Sequence, residues 1–463
     1  MSITAGIMLP HPPLIVPAVG RGEESKITAT AKACEKAAAF VAQQAPKRVI
    51  ITSPHATAYA DYFHISPGGG ASGSFAQFGA PNAAFRADYD REFTKALSAA
   101  AEREGFPAGT LGERDKKLDH ATMVPLYFLE KTMDLSQTKF VRIGLSGLTA
   151  QEHYRLGILI KETAEKLGGN TVFIASGDLS HRLSADGPYG YNEAGPKYDA
   201  RIMDVMGRGA FGELFDFSEE ECEEAGECGQ RSFVIMAGAF DGRDVKAEKL
   251  SYEGPFGVGY GVCTFTAGAN DESRRFLALY EENEARRTSD LRKNEDQFVR
   301  LARASIESYV KNGTKLSEPS GLPPELTKRR AGVFVSLKKE GRLRGCIGTT
   351  SPTQSSVARE IIQNAISAAT QDPRFEPVRP DELEKITCSV DVLGPTEPIA
   401  SESELDVKKF GVIVTRGARR GLLLPNLEGV GSVRQQIEIA KQKAGIRPDE
   451  TVSLERFEVV RHY

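Results

Sequence analysis

Four of the seven histidines in this chain stand directly after predicted strands or beside turn residues, where side chains are free to do chemistry. His11 follows the first predicted strand in the segment PHPP, and His55 follows the second in SPH. His181 ends the segment SGDLSH after a later strand. His120 follows Asp119 ahead of an apolar helix that is predicted to begin around Met123. One histidine at a strand end is usually a loop residue, but four so placed favour a shared site.

These histidines predict a metal centre. In open α/β sheets, ligands bind beyond the carboxyl ends of the strands, so His11, His55 and His181 are expected to converge in one pocket. Two neutral imidazoles and one carboxylate leave adjacent metal positions open, as in non-haem Fe(II) oxygenases. The same ligand set suits catalytic zinc, so a zinc hydrolase stays open as an alternative.

The elements that must position these residues follow from hydrophobic periodicity. Apolar runs rich in Val, Ile and Phe alternate with Ala/Glu/Lys-rich stretches of helical period, which predicts an α/β fold with a sheet covered by helices. The predicted strands are 3–9, 48–52, 140–145, 171–176 and 257–266. The predicted helices are 23–44, 90–104, 150–167, 197–206 and 231–240, and 66–83 is predicted as a hairpin or loop.

The character of the sequence changes after Thr266, where charged residues replace β-branched ones. We therefore predict a first domain over 1–268, a charged linker over 269–290 and a smaller α+β domain over 291–463. The second domain has predicted helices at 294–311, 357–370 and 433–444, with strands at 331–337, 386–393 and 411–415.

Composition excludes several classes of function. A net charge of -4 offers no basic surplus for nucleic acid or an anionic membrane. The start of the chain lacks the basic flank of a signal peptide, and no apolar run approaches the roughly 20 residues of a membrane span. The six cysteines do not form a disulfide pattern. These features predict a soluble cytoplasmic protein with reduced thiols, and they leave its oligomeric state open.

The order of five motifs resembles a known family. The motifs are PHP at 10–12, SPH at 53–55, DH at 119–120, GDLSH at 177–181 and ECGQR at 227–231. They look like the LigB-like catalytic subunit of class III extradiol dioxygenases and the related Memo proteins. The resemblance implies Fe(II), dioxygen and a catechol-type substrate of aromatic metabolism, although zinc or another divalent metal also fits. It makes His11 and His55 metal ligands, His181 the acid–base catalyst and His120 a supporting or substrate-binding residue.

The resemblance leaves the third metal ligand open, because the two families differ there. Dioxygenases place a glutamate at the start of the last helix, which makes Glu227 the predicted third ligand. Memo proteins place a cysteine there, which makes Cys228 the alternative. Glu253 precedes a glycine-rich strand and is either a further candidate or a turn residue. Asp178 either holds the His181 ring or caps a turn.

A second resemblance covers about 294–463. The segments LRGCIG at 343–348, DPRF at 372–375, GVIV at 411–414 and GLLLP at 421–425 resemble the AMMECR-type domain. Such domains accompany Memo-like and radical-SAM proteins, so the resemblance implies a radical-SAM protein partner. Cys346 is either a nucleophile favoured by Arg344 or a structural thiol, and we favour the structural reading because His462 is the only histidine there.

Together these features predict an Fe(II)-dependent extradiol dioxygenase-like oxidoreductase, fused to an AMMECR-type domain that binds a partner or substrate. The main alternative is a Memo-like metal-binding protein that does not cleave rings, uses Cys228 as a ligand and works with a radical-SAM partner.

Overall fold

The computed structural model describes residues 3–427 and 429–463 and divides into two compact units at Glu281 and Glu282. Met1 and Ser2, which begin the predicted first domain, lie outside the described residues. The segment predicted as a linker, 269–290, is largely helical, since a helix spans Phe276–Lys293. Within the described part of the chain, no helix is both long and apolar enough to cross a membrane.

The described residues of unit 1 form ten strands and the helices that cover them. The strands are β1 Ile3–Leu9, β2 Arg48–Ser53, β3 Phe63–His64, β4 Gly70–Phe75, β5 Ala80–Asp88, β6 Ala108–Gly109, β7 Lys139–Gly144, β8 Thr171–Ser176, β9 Arg243–Glu253 and β10 Tyr260–Asn270. The helices are α1 Pro17–Gly20, α2 Thr28–Gln43, α3 Arg91–Arg103, α4 His120–Leu129, α5 Ala150–Leu167, α6 Ala194–Arg208, α7 Glu219–Ala225 and α8 Gln230–Ala239. The next helix, α9 Phe276–Lys293, contains the boundary between the two units.

The main sheet of unit 1 has the strand order β7-β2-β8-β1-β10-β9. The strands β7, β2, β8 and β1 run parallel, whereas β10 and β9 are antiparallel additions at one side. Alternate residues of β2 enter opposite cores, since Val49 packs on one side of the sheet and Ile50 on the other. A parallel sheet buried on both faces explains the nearly continuous apolar runs in the sequence. The predicted α/β fold is confirmed.

Unit 2 is an antiparallel curled sheet with helices packed against it. Its strands are β11 Val333–Lys339, β12 Arg342–Gly348, β13 Ile386–Leu393, β14 Glu397–Ile399, β15 Phe410–Arg416, β16 Arg419–Leu423 and β17 Ser453–His462. Its helices are α10 Gln297–Asn312, α11 Pro324–Thr327, α12 Val357–Thr370 and α13 Val433–Lys443. The strand order is β12-β11-β13-β17-β15-β16, with β14 paired to β17. The predicted α+β character of this domain is confirmed.

The two groups of helices in unit 2 cover different parts of the sheet. Val299 of α10 and Ile361 of α12 pack in one core with Val335 of β11. Ile437 of α13 packs in a separate core with Val412 of β15. Each helix buries one apolar stripe, as expected for amphipathic helices on a sheet.

Candidate metal centre

Three of the predicted histidines lie together. His11 and His55 follow the carboxyl ends of β1 and β2, and His120 is the first residue of α4. One ring nitrogen from each of the three lies within 4.8 Å of the others. The ring centroids are 5.0 Å apart for His11 and His55, and 4.2 Å apart for His55 and His120. The cluster therefore forms a set of nitrogen donors at the open end of the parallel strands.

The orientation of the His11 ring is set by Ser176, the last residue of β8. The Ser176 hydroxyl donates to the carbonyl of Ala121 at 2.7 Å, which uses its only proton. The contact of 3.1 Å between His11 Nδ1 and Ser176 Oγ therefore needs the hydrogen on Nδ1. The lone pair of His11 is then on Nε2. A metal-binding histidine typically uses its other ring nitrogen in this way.

All three clustered imidazoles favour the neutral form. Burial, assisted by the neighbouring His55, lowers the pKa of His11 well below its usual range. Loss of water lowers the pKa of His55 as well. Burial and repulsion from His11 and His55 lower the pKa of His120 to about 3. Neutral imidazole is the form that binds metal, so the cluster needs no deprotonation before it binds an ion.

A buried ion pair holds the start of α4, and with it His120. The N-cap residue Asp119 accepts hydrogen bonds from the Ser53 hydroxyl at 2.7 Å and from the Thr122 backbone at 2.9 Å. Its second oxygen lies 2.9 Å from Nη2 of Arg142, whose side chain is 3% exposed. Burial alone would raise the pKa of Asp119, but Arg142 and these hydrogen bonds lower it overall. Asp119 therefore stays charged and fixes the helix start.

We expect Asp119→Ala to destabilise unit 1 by about 3–5 kcal/mol, because it leaves the Arg142 charge buried without its partner. The measurement is the free energy of unfolding in urea, followed by the signal of the first unit. Asp115→Ala is the matched control, since Asp115 is exposed in the same loop. Equal, small effects of both changes would contradict the structural role of the pair.

Cys228 stands beside the histidine cluster. Its Sγ lies 3.7 Å from Nε2 of His11, and the backbone N–H of Asp178 donates to the same sulfur at 3.3 Å. Burial raises the pKa of the Cys228 thiol well above its usual range. A Cβ on Gly177 would lie 2.2 Å from Cα of Gly229, the residue that follows Cys228. Glycine at position 177 therefore lets the loop after β8 lie against the chain at Cys228. The thiol is therefore held at the edge of the cluster.

The two glutamates considered as ligands each accept hydrogen bonds at the start of a helix. Glu227 Oε2 accepts the backbone N–H of Gln230 at 2.6 Å, at the start of α8. Burial raises the pKa of the Glu227 carboxyl to about 7. Glu253 Oε2 accepts both the backbone N–H and the hydroxyl of Thr30, each at 2.6 Å. These carboxylates bind helix starts in this structure.

His181 is held by the chain that precedes α8. Its Nδ1 hydrogen-bonds to the carbonyl oxygen of Gly226, so Nδ1 carries the hydrogen and Nε2 is the basic nitrogen. The Tyr189 ring lies 5.1 Å from the His181 ring, and Tyr189 is 64% exposed. Asp178 accepts the backbone N–H of His11 at 2.8 Å. This hydrogen bond joins the loop after β1 to the loop after β8.

Comparison with known proteins places the chain in a family. Residues 5–263 match the family described as the catalytic LigB subunit of aromatic ring-opening dioxygenase. The chain belongs to the LigB family. Residues 299–462 match the AMMECR1 family, so the LigB unit is followed by an AMMECR1 domain. Both resemblances drawn from the sequence motifs are confirmed.

One relative matches the whole chain and shares this arrangement, whereas shorter relatives match about a third of it. A protein of Clostridium acetobutylicum is 44% identical over 471 residues, covering 100% of this chain and 99% of its own. A protein of Thermotoga maritima is 55% identical over 170 residues, covering 36% of this chain and 98% of its own. A crystal structure of a Pyrococcus horikoshii protein covers 35% of this chain and 88% of its own at 34% identity, with a TM-score of 0.34.

The LigB unit also contains a cleft beside the histidines, with a volume of about 290 Å³. Cys228 lines it together with Tyr59, Leu145 and the exposed Arg231.

Sequence reasoning missed the supporting residues Ser176 and Arg142. Arg142 had a signal, because a charge inside the apolar strand FVRIG needs a buried partner. Ser176 directly precedes the GDLSH motif.

Proposed function

We propose that the LigB unit is an Fe(II)-dependent oxidoreductase that opens the ring of a catechol-type substrate with dioxygen. The observation that carries this proposal is the convergence of His11, His55 and His120 as neutral imidazoles in a member of the LigB family. The donor set fits a metal, since Ser176 already fixes the His11 tautomer that presents Nε2. In this proposal His120 is the third ligand, in place of Glu227, which the family resemblance implied.

A bound ferrous ion would supply adjacent open positions for the diol and for dioxygen. The residues of the chain would supply substrate orientation and proton transfer. The cleft, at about 290 Å³, is close to the lower end of ligand-pocket volumes and suits a single ring. Tyr59 and Leu145 offer it apolar walls, and the Arg231 guanidinium at its edge suits an anionic substituent.

Proton transfer is assigned to His181. The hydrogen bond to Gly226 leaves Nε2 of His181 as the acceptor for a hydroxyl proton of the diol. The same nitrogen would return that proton to the ring-opened product, which contains both atoms of the consumed dioxygen. Histidine is the side chain best suited to such two-way exchange near neutral pH.

Oxygen uptake tests the proposal. Iron-loaded protein is expected to consume dioxygen and catechol in equal amounts, measured with an oxygen electrode and by the absorbance of the ring-opened product. His181→Gln is expected to lower the turnover rate about 10²–10⁴-fold while iron content stays unchanged, because it removes the proton acceptor and not a ligand. His462→Gln, in the other unit, is the control. Full occupancy with iron but no oxygen uptake from a panel of catechols would reject ring cleavage.

One observation favours a second function. The Cys228 sulfur lies 3.7 Å from His11 Nε2, where it can join the ligand set. A thiolate beside an oxygen-activating ferrous ion is itself open to oxidation, which disfavours dioxygen chemistry. In that case the unit is a Memo-like metal-binding protein without ring cleavage, working with a radical-SAM partner. Metal binding with no oxygen uptake would support this second function.

A further inference from the structure

Asp199 is a buried carboxylate of the LigB unit that neither the metal centre nor the proton transfer described above uses. It lies on α6 and is 1% exposed. Among the described residues, the groups that stabilise its charge are the Ser180 N–H and the Tyr252 hydroxyl, and neither is a cation. A buried charge without a cation costs stability, so its presence beside the site points to a role there.

Asp199 holds the loop that carries His181. Its Oδ1 accepts the backbone N–H of Ser180, the residue before His181, at 2.8 Å. Its Oδ2 accepts the hydroxyl of Tyr252 on β9 at 2.7 Å. A Cβ on Gly259 would lie 2.0 Å from Oδ2, so glycine at that position makes room for the carboxylate. Asp199 therefore joins α6 and β9 to the peptide that precedes His181.

The other side of this loop is held by the chain before α8. The Ser180 hydroxyl donates to the carbonyl of Ala225 at 2.8 Å, and the His181 N–H donates to the same carbonyl at 3.2 Å. These acceptors are neutral, whereas hydrogen bonds to an ionised acceptor are roughly twice as strong. Asp199 therefore supplies a charged anchor for the segment from Ser180 to His181.

The strength of this anchor depends on the ionisation of Asp199. Burial raises the pKa of the Asp199 carboxyl to about 6, and the hydrogen bonds from Ser180 and Tyr252 oppose that rise. In the protonated form one oxygen carries a hydrogen, so Tyr252 turns from donor to acceptor. The hydrogen bond from Ser180 then loses the assistance of the charge.

The phenols near Asp199 do not change charge in the same pH range. Burial raises the pKa of both phenols above the usual range. The titratable groups on the segments packed against Asp199 are Tyr252 on β9, Tyr198 on α6, and Asp178 and His181 on the loop. Of the two tyrosines, Tyr252 has its hydroxyl directly on the carboxylate, so it is the residue by which the ionisation of Asp199 can be changed.

We propose that Asp199 is a positioning residue for His181, whose carboxylate holds the Ser180 peptide and so keeps His181 within reach of the substrate proton. The inference rests on the proposed function, because His181 is the proton acceptor there. Asp199 acts through the loop, and its ionised form holds that loop more firmly than its neutral form.

Asp199→Asn tests this role through the pH profile of oxygen uptake. The amide oxygen accepts the Ser180 N–H and the amide NH₂ donates to Tyr252, so the variant resembles the protonated carboxyl at every pH. We expect turnover above about pH 7 to fall about fivefold, with iron content and KM unchanged, because a charged acceptor becomes neutral. Asp204→Asn changes an exposed carboxylate on the same helix and is the matched control.

Tyr252→Phe separates positioning from a general loss of fold. It removes a hydrogen bond to the charged form of Asp199, so the acid limb of turnover is expected to move up by about one pH unit. The same change made in Asp199→Asn is expected to move nothing. Tyr191→Phe, at a tyrosine that is 59% exposed, is the control. An acid limb that Tyr252→Phe moves equally in both backgrounds, or leaves in place, would overturn the proposal.

A second measurement does not depend on ring cleavage. The full chain without added iron, labelled with ¹³C at histidine Cε1, is titrated by NMR, and His181→Gln identifies the His181 signal. We expect this signal to show a further inflection near pH 6 that is absent in Asp199→Asn and moves upward in Tyr252→Phe. If iron-loaded protein consumes no dioxygen but the inflection behaves in this way, the proposed function fails and the positioning role holds. A His181 signal that titrates identically in all three proteins overturns the positioning role, whatever the turnover.

Discussion

The His11→Ala/His55→Ala double variant is expected to bind no iron, where the unchanged chain binds about one ferrous ion. Both residues lie in the cluster whose ring nitrogens are within 4.8 Å, and removing two of three imidazoles leaves too few donors to hold a hydrated ion. The measurement is iron per chain after anaerobic loading with ferrous salt and removal of the excess. The size of this effect follows from the loss of direct metal bonds.

Two controls separate loss of ligands from loss of fold. His462→Ala removes a histidine from the AMMECR1 domain and is expected to keep full iron occupancy. His55→Ala alone changes an exposed side chain, so it is expected to lose stable iron binding without the cavity that His11→Ala creates in a buried position. Equal occupancy in the double variant and the unchanged chain, or none in either, would remove the metalloenzyme hypothesis and leave a binding protein on the LigB fold.

The elements that bear these histidines are those that sequence patterns predict best. The strands 3–9 and 171–176 have the predicted bounds, because each is a buried apolar run that Pro or Gly residues end. The strand β9 was missed, since its residues alternate exposed charges such as Lys246 and Glu248 with half-buried positions. Such charges are common on edge strands and hide the apolar pattern.

Helix starts explain what the sequence could not resolve at the site. The helix predicted from Met123 begins at His120, because Asp119 caps it through the Thr122 N–H. That shift of less than one turn places His120 in the cluster. Glu227 and Cys228 are adjacent in sequence, so the start of α8 decides which of the two side chains faces the histidines. The hydrogen bond from the Gln230 N–H to Glu227 sets that start, and it is known only from the structure.

The second large effect on iron binding concerns the third ligand, for which the candidates are His120, Glu227 and Cys228. His120→Ala is expected to abolish stable iron binding, because it removes a ring nitrogen from the cluster. Glu227→Gln is expected to leave iron binding unchanged, since that carboxylate accepts the Gln230 N–H and an amide oxygen can do the same. Cys228→Ala is expected to weaken iron affinity by about 10–100-fold, as loss of a group that supports a ligand does.

These three variants are measured together by titrating ferrous ion into anaerobic protein with a competing chelator, which gives affinity rather than occupancy alone. Loss of binding in Glu227→Gln would restore the two-histidine, one-carboxylate set and show that this glutamate turns inward when metal is present. Loss in Cys228→Ala with retention in His120→Ala would instead make the thiolate the third ligand. Burial raises the pKa of the Cys228 thiol, so the thiol is protonated before metal binds and must lose its proton to become a ligand. Metal binding would then release one more proton per ion, and calorimetry in buffers of different ionisation enthalpy detects that proton. That extra proton distinguishes the Memo-like site from the imidazole site even if both variants lose some affinity.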